Sequence, residues 1–178
     1  MTSSKENLMN KVIFERYFKP HFFEWIFGPI DRLVCSQDAL IGFIFMSCVI
    51  DYLSGFWYGG DTTGKNKRTY IGFIKTYFPA GKYDPTGLYD SLRNGLVHMF
   101  TIKDKKYALT HNNPGLHMKT DTNCQIVLNA GDFRNDLYDA TIKYFEDVEN
   151  NPELMDKLIV RYGEFGFLAL GKSEFSPS

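Results

Sequence analysis

Three side chains in one short stretch carry the chemistry that this sequence offers. In "LYDSLRNGLVHMF", Leu88 to Phe100, a leucine repeat is interleaved with Arg93, Asn94 and His98. An imidazole titrates near neutral pH and can take or give a proton. A guanidinium stays charged and forks onto phosphate oxygens, while an amide can orient either partner. Together the three would suffice for attack of an RNA 2′-hydroxyl on its own phosphate, a reaction that needs no metal. The same residue types also suit a plain solvated helix face.

A helical wheel at about 100° per residue separates two sides of this stretch. With Leu88 at the origin, Leu92, Leu96 and Phe100 fall at about 40°, about 80° and about 120°, which defines a buried face. Arg93 lies at about 140°, Asp90 at about 200°, Asn94 at about 240° and His98 at about 280°. Asn94 and His98 therefore face away from the core, with Asp90 as a supporting acid. Arg93 sits on the flank with a chain long enough to swing toward them. Gly95 leaves room for another backbone or for a substrate.

The stretch "RNGLVH" resembles the R-x(4–6)-H motif of the HEPN superfamily (higher-eukaryote and prokaryote nucleotide-binding domains). The resemblance implies a helical bundle that commonly dimerises, bringing two motifs into one cleft. For many members it implies metal-independent RNA cleavage in toxin–antitoxin or antiviral systems. It would make His98 the acid/base group, Arg93 the clamp on the phosphate and its transition state, and Asn94 the polar residue that positions them. Other members bind nucleotides or serve as scaffolds without cleaving anything, so the alternative is a non-catalytic nucleotide-, RNA- or protein-binding module. Through the acid of its central helix, "YIGFIKTYFP" and "LYDSLRNGLVH", the chain as a whole also looks like a set of uncharacterised bacterial HEPN-like proteins.

The elements that must hold these residues are legible in outline. With 178 residues, 44% hydrophobic and 16% aromatic, the chain can bury one sizeable core and calls for no second domain. A helix from about 37 to about 58, capped by Ser36 or Asp38, is apolar on nearly all sides, as a central bundle helix would be. Its uncharged run from Ala39 to Ile50 is shorter than the ~20 residues of a membrane span, so no membrane is expected as a partner. Asp51, an acid in that apolar helix, must be paired, with Arg93 or with a backbone N–H. Tyr52, Trp57 and Tyr58 could stack bases, although their spacing equally suits a core.

Upstream, "HFFEWIFGPIDRLV" reads as a helix interrupted near Gly28 and Pro29. Downstream, "TYIGFIKTYFP" places Tyr70, Phe73, Ile74 and Phe78 at helical spacing. The motif helix starts at Asp84 before Pro85 and spans about 86–100. "KKYALTHNN" and "NCQIVLNAG" read as a β-hairpin over about 105–130, joined by a polar loop with Pro114 and Gly115. C-terminal helices over about 132–162 follow, with Phe133, Leu137, Ile142 and Phe145 facing inward. The expected fold is mainly α, a HEPN-like up-and-down helical bundle with one small β-hairpin inserted after the motif helix.

Charge and the remaining motifs narrow the partners. The formal charge is −1, but residues 61–120 hold ten Lys and Arg against four Asp, a local +6. Lys65, Lys67, Arg68, Lys103, Lys105 and Lys106 flank the motif and are candidates for holding RNA; a solvated face would show the same pattern. His111 and His117 lack a Cys or carboxylate at ligand spacing, so neither a metal nor another cofactor is expected. Cys35, Cys48 and Cys124, with no CxxC spacing, read as reduced thiols, and "MTSSKENLMNKVIFERYF" lacks a secretory pattern; both point to the cytoplasm. "GGDTTGK", Gly59 to Lys65, matches a phosphate-loop pattern, but Asn66 stands where Ser or Thr should and a helix precedes it. Arg16 and His21 repeat the Arg93–His98 spacing, yet Pro20 disfavours helix at Lys19, so that pair reads as accidental. The expected partners are a second copy, RNA or a nucleotide, and an antitoxin-type protein.

Overall fold

Phe14, Phe18 and Phe22 recur every fourth residue, and their rings stack down one side of the first helix, α1 (residues 4–35). A computed structural model describes residues 4–36, 38–111 and 113–165. In α1 the turns at Phe14–Phe18 and Phe23–Phe27 are wide, closed by i→i−5 bonds from Lys19 N–H to Phe14 O and from Gly28 N–H to Phe23 O. Each lies just ahead of a proline. Proline has no N–H and collides with the carbonyl four residues back, and a widened turn relieves both. The helix therefore runs through Gly28 and Pro29, where the sequence pattern predicts a break. Lys19 likewise keeps helical angles, φ −60 and ψ −48, despite Pro20.

The central helix α2 (Ala39–Tyr58) packs against α1, α3 (Asn66–Tyr77), α4 (residues 85–99), α5 (Ala130–Asn150) and α6 (Pro152–Phe165). Phe43, Met46, Ile50, Leu53 and Phe56 of α2 are wholly buried. Burying each such side chain contributes about 1.5–3 kcal/mol. One continuous core joins them to the α1 phenylalanines, to Tyr70 and Phe73 of α3, to Leu88, Leu92 and Leu96 of α4, and to Phe133, Leu137 and Phe145 of α5. The architecture is mainly α, a bundle around α2. Among the described residues α2 is the helix long and apolar enough to cross a bilayer, yet most of it is covered by its neighbours.

Three further expectations need correction. The two strands, β1 (Tyr107–Thr110) and β2 (Ile126–Asn129), pair in parallel, with Tyr107 opposite Ile126 and Thr110 opposite Asn129, so they are not a hairpin. Parallel pairing needs a connection of about a dozen residues or more, and residues 111–125 supply it. The chain reverses at Asp121, whose carboxylate accepts the N–H groups of Asn123 and Gln125, and Thr120 bridges Ile126 antiparallel on the other side of β2. Second, Phe100 is 73% exposed instead of extending the leucine face, because it takes a left-handed turn (φ 54) that ends α4. Third, Ile142 is only half-buried, and Tyr144 takes the inward place on α5.

Candidate functional site

The motif helix α4 starts as its sequence requires: the Asp84 carboxylate caps the N–H of Thr86 at 3.0 Å, and Pro85 occupies the first turn. Leu88–Arg93 forms another wide turn, closed by Asn94 N–H to Tyr89 O, so a wheel of uniform pitch does not hold across it. The leucines remain buried. The polar groups gather on one spot.

Arg93 is the hub of that spot. Its Nη1 donates to the Asn94 Oδ1 at 3.0 Å and lies 3.2 Å from the His98 Nε2, while its Nη2 donates to the Asp51 carboxylate of α2. The guanidinium carbon lies 5.6 Å from the Tyr89 ring centre, a cation–π contact one turn back on the same helix. Arg93, Asn94, His98 and Asp51 are thus brought together, and the sequence-based pairing of Asp51 with Arg93 holds. The Arg93 and Asp51 side chains are 16% and 24% exposed, whereas His98 is on the surface. Burial works against the Arg93 charge, but the hydrogen bond to Asp51 and its charge outweigh it and raise the arginine's pKa.

The hydrogen bond fixes the histidine's chemistry. A guanidinium can only donate, so the His98 Nε2 presents its lone pair and Nδ1 carries the proton of the neutral ring. A basic nitrogen at the surface, beside a fixed cation, is the arrangement a proton-transfer group needs. The Tyr70 hydroxyl is buried with no partner among the described residues, and burial, with the Asp51 charge second, pushes its pKa well above the ordinary value. Tyr70 therefore stays neutral.

Gly95 serves a backbone. A Cβ there would meet the Lys103 N at 2.8 Å and the Thr101 O closer still, so the chain after Phe100 folds directly across the helix at this glycine. Thr101 N–H donates to the Gly95 O at 3.3 Å, which pins residues 101–103 beside the site.

The remaining sequence candidates scatter. Asp90 pairs with Lys67 at 2.6 Å and not with Arg93. Lys106 pairs with Asp84, and Lys65 donates to the Tyr58 hydroxyl at 3.0 Å. Arg68, Lys103 and Lys105 are exposed and, among the described residues, form no ion pair. The phosphate-loop lookalike is a helix connection: Gly59, with φ 79, caps α2, and α3 begins at Asn66. No group of three or more His, Cys, Asp or Glu that could hold a metal ion occurs among the described residues. His117 is instead held between Asn129 N–H, at 3.1 Å from Nδ1, and the Tyr83 hydroxyl, at 3.0 Å from Nε2.

A cleft of about 290 Å³ opens on the far side of Asp51. It is lined by Cys48, Asp51 and Tyr52 of α2, by Thr62, Asn66 and Thr69, and by Arg161 of α6. Tyr89, Asn66 and Arg161 were not legible as site residues in the sequence. Tyr89 had a signal, its position four residues before Arg93; Arg161 had none, since only tertiary packing brings α6 here.

No protein-family model, curated protein or solved structure matches the chain. What fold and site together define is a mainly α helical bundle with a surface histidine and a half-buried Arg–Asp pair on adjoining helices.

Proposed function

We propose that the protein is a metal-independent endoribonuclease of the HEPN-like kind, acting through Arg93, Asn94 and His98. The observation that carries this reading is the exposed His98 ring, whose Nε2 lies 3.2 Å from an Arg93 guanidinium that Asp51 holds in place. An RNA phosphate would replace His98 and Asn94 as the acceptor on Nη1. His98 then takes the 2′-hydroxyl proton, the 2′ oxygen forms its bond to phosphorus, and the bond from phosphorus to the 5′ oxygen breaks. The departing 5′ oxygen takes a proton from water and His98 returns its own to solvent, leaving a 2′,3′-cyclic phosphate and a 5′-hydroxyl. Arg93 stabilises the charge that builds on the phosphorane.

One site offers a phosphate few groups, so the reading includes a C2 homodimer in which two α4 faces share a cleft. Leu40 and Ile41 at the start of α2, and Met99 and Phe100 at the end of α4, are exposed apolar residues that a second copy or an antitoxin-type protein would cover. The compartment that suits this activity is the cytoplasm. A second reading, a non-catalytic nucleotide-, RNA- or protein-binding module, is favoured by one observation: Arg93 already has Asp51, Asn94 and His98 as partners, as a purely structural arginine would.

The test is cleavage of labelled RNA in excess EDTA by purified protein and its variants. His98→Ala and Arg93→Ala should each abolish cleavage in a folded protein, Asn94→Ala should slow it less, and the product should end in a 2′,3′-cyclic phosphate. A folded His98→Ala protein that cleaves as well as the wild type refutes the mechanism, and light scattering that shows only monomer at micromolar concentration removes the shared cleft.

A further inference from the structure

Phe100 is the most exposed aromatic residue among those described, at 73%, and it stands where the motif helix α4 ends. Its backbone is left-handed, φ 54 and ψ 31, with its N–H donating to the Gly95 O and the Leu96 O. Glycine is the ordinary residue for that place and that conformation, and a bulky side chain there is strained. Asp104, φ 61, and Lys105, φ 49, follow in the same conformation, so three left-handed non-glycine residues fall within six positions. Strain clustered in this way is found at active sites and ligand clamps, where the surrounding structure holds it. Here the restraint is residues 101–103, laid across the helix at Gly95.

The surroundings of the ring separate its possible partners. His98 precedes it at the surface, and Thr101, Lys103 and Lys105 follow it, all exposed, with Asp104 the one acid between them. Neither lysine forms an ion pair among the described residues. Lysine is depleted from the cores of protein interfaces, whereas an open ring among cations is how single-stranded nucleic acid is held: bases stack on the ring and the cations track the backbone. Two peptide steps place the Phe100 Cα no more than about 8 Å from that of His98, within one nucleotide of a phosphate held there. The rings that the sequence offers as base stackers are occupied instead. Tyr52 packs on Phe22 and Phe56, Trp57 lies against Gly72, and Tyr58 carries the Lys65 ammonium 5.2 Å from its ring centre.

We infer that Phe100 is the platform on which the base next to the scissile phosphate stacks, with Lys103 and Lys105 holding the backbone that leads away from it. The inference rests on Arg93 and His98 being the phosphate site. Every base has a face to stack, so the platform adds affinity and placement without strong sequence preference. An antitoxin-type protein laid over Phe100 would then block RNA at this ring.

Phe100→Gly tests the inference, because stability and RNA binding should respond to it in opposite directions. Glycine fits the left-handed turn, so the urea midpoint should hold or rise while the ring is lost. A short labelled 2′-O-methyl RNA oligomer of mixed sequence cannot be cleaved by 2′-hydroxyl attack, and its binding to the full-length protein is read by fluorescence anisotropy at low ionic strength. Phe100→Gly should bind it about tenfold more weakly than the wild type. Phe100→Trp should restore the affinity, and RNA should quench its emission beyond any change in the wild type, which already has Trp25 and Trp57. Equal binding by Phe100→Gly and the wild type, an unquenched Phe100→Trp, or a wild-type dimer that Phe100→Gly dissociates in light scattering overturns the platform; the last result would assign the ring to a second copy. RNA bound and cleaved by Phe100→Gly as by the wild type removes the platform and leaves the nuclease standing. If the oligomer is held through Phe100 while unmodified RNA is never cleaved, the platform stands and the cleavage reading falls. An oligomer that the wild type does not bind at all removes both.

Discussion

Replacing Gly95 with alanine sets two physical effects of opposite sign against each other. By helix propensity alone, alanine for glycine inside a helix should stabilise by about 1 kcal/mol. The structure opposes this, because the new Cβ would sit 2.8 Å from the Lys103 N and nearer still to the Thr101 O. Both are backbone atoms, so no side chain can rotate away, and the segment must move by roughly 1 Å to restore van der Waals distance. Overpacking of this kind costs about 1–3 kcal/mol, and rigid neighbours place it near the upper end. The expected net effect is a loss of about 1–2 kcal/mol, read as a lower urea midpoint with an unchanged slope. Amide exchange at Thr101 should also quicken, since its hydrogen bond to the Gly95 O is the contact displaced. A Gly95→Ala protein as stable as the wild type, or more stable, would show that the chain does not cross the helix at this point.

The other expectations concern the core, the ion pairs and the charge. Leu92→Ala should cost ~2–5 kcal/mol in chemical denaturation by leaving a cavity under the motif helix, while His98→Ala, at the surface, should cost little; equal losses would make the histidine structural. Asp51→Ala should destabilise by ~1–3 kcal/mol, because the half-buried guanidinium of Arg93 loses its charged partner, and loss of the pair without any change in melting would contradict the packing described. Asp136 is pushed up by burial but held down to about 2 by His117, 3.8 Å away, and by hydrogen bonds from Lys82 and Tyr83, so its folded pKa is below its unfolded one. The stability this gives, ~2 kcal/mol, is complete above about pH 4 and lost as pH falls toward 2; Tyr83→Phe should raise the carboxyl's midpoint in an NMR titration. If the protein binds RNA as proposed, that binding should weaken steeply with salt. Neutralising Lys103 and Lys105 should reduce that slope more than neutralising Lys67 and Lys106, which Asp90 and Asp84 already pair, and equal effects would refute the distinction.

Local patterns in the chain determined a good part of this protein. Four-residue spacing of Leu88, Leu92 and Leu96 was enough to bury that face, because helical periodicity is a property of neighbours in sequence. An acid in an apolar helix had to be paired, with Arg93 or with a backbone N–H, and it was packing that chose Arg93. What sequence could not decide was the geometry that distant segments impose. The wide turns ahead of Pro20 and Pro29 keep α1 continuous only because its phenylalanines are anchored in the core, and a local rule for proline sees no such anchor. Parallel pairing of β1 and β2 depends on where residues 111–125 travel, a matter of tertiary packing and not of strand propensity. The cleft walls of Asn66 and Arg161 lie 95 residues apart in the chain. They meet because α3 and α6 both pack on α2, and no spacing rule reaches across that distance.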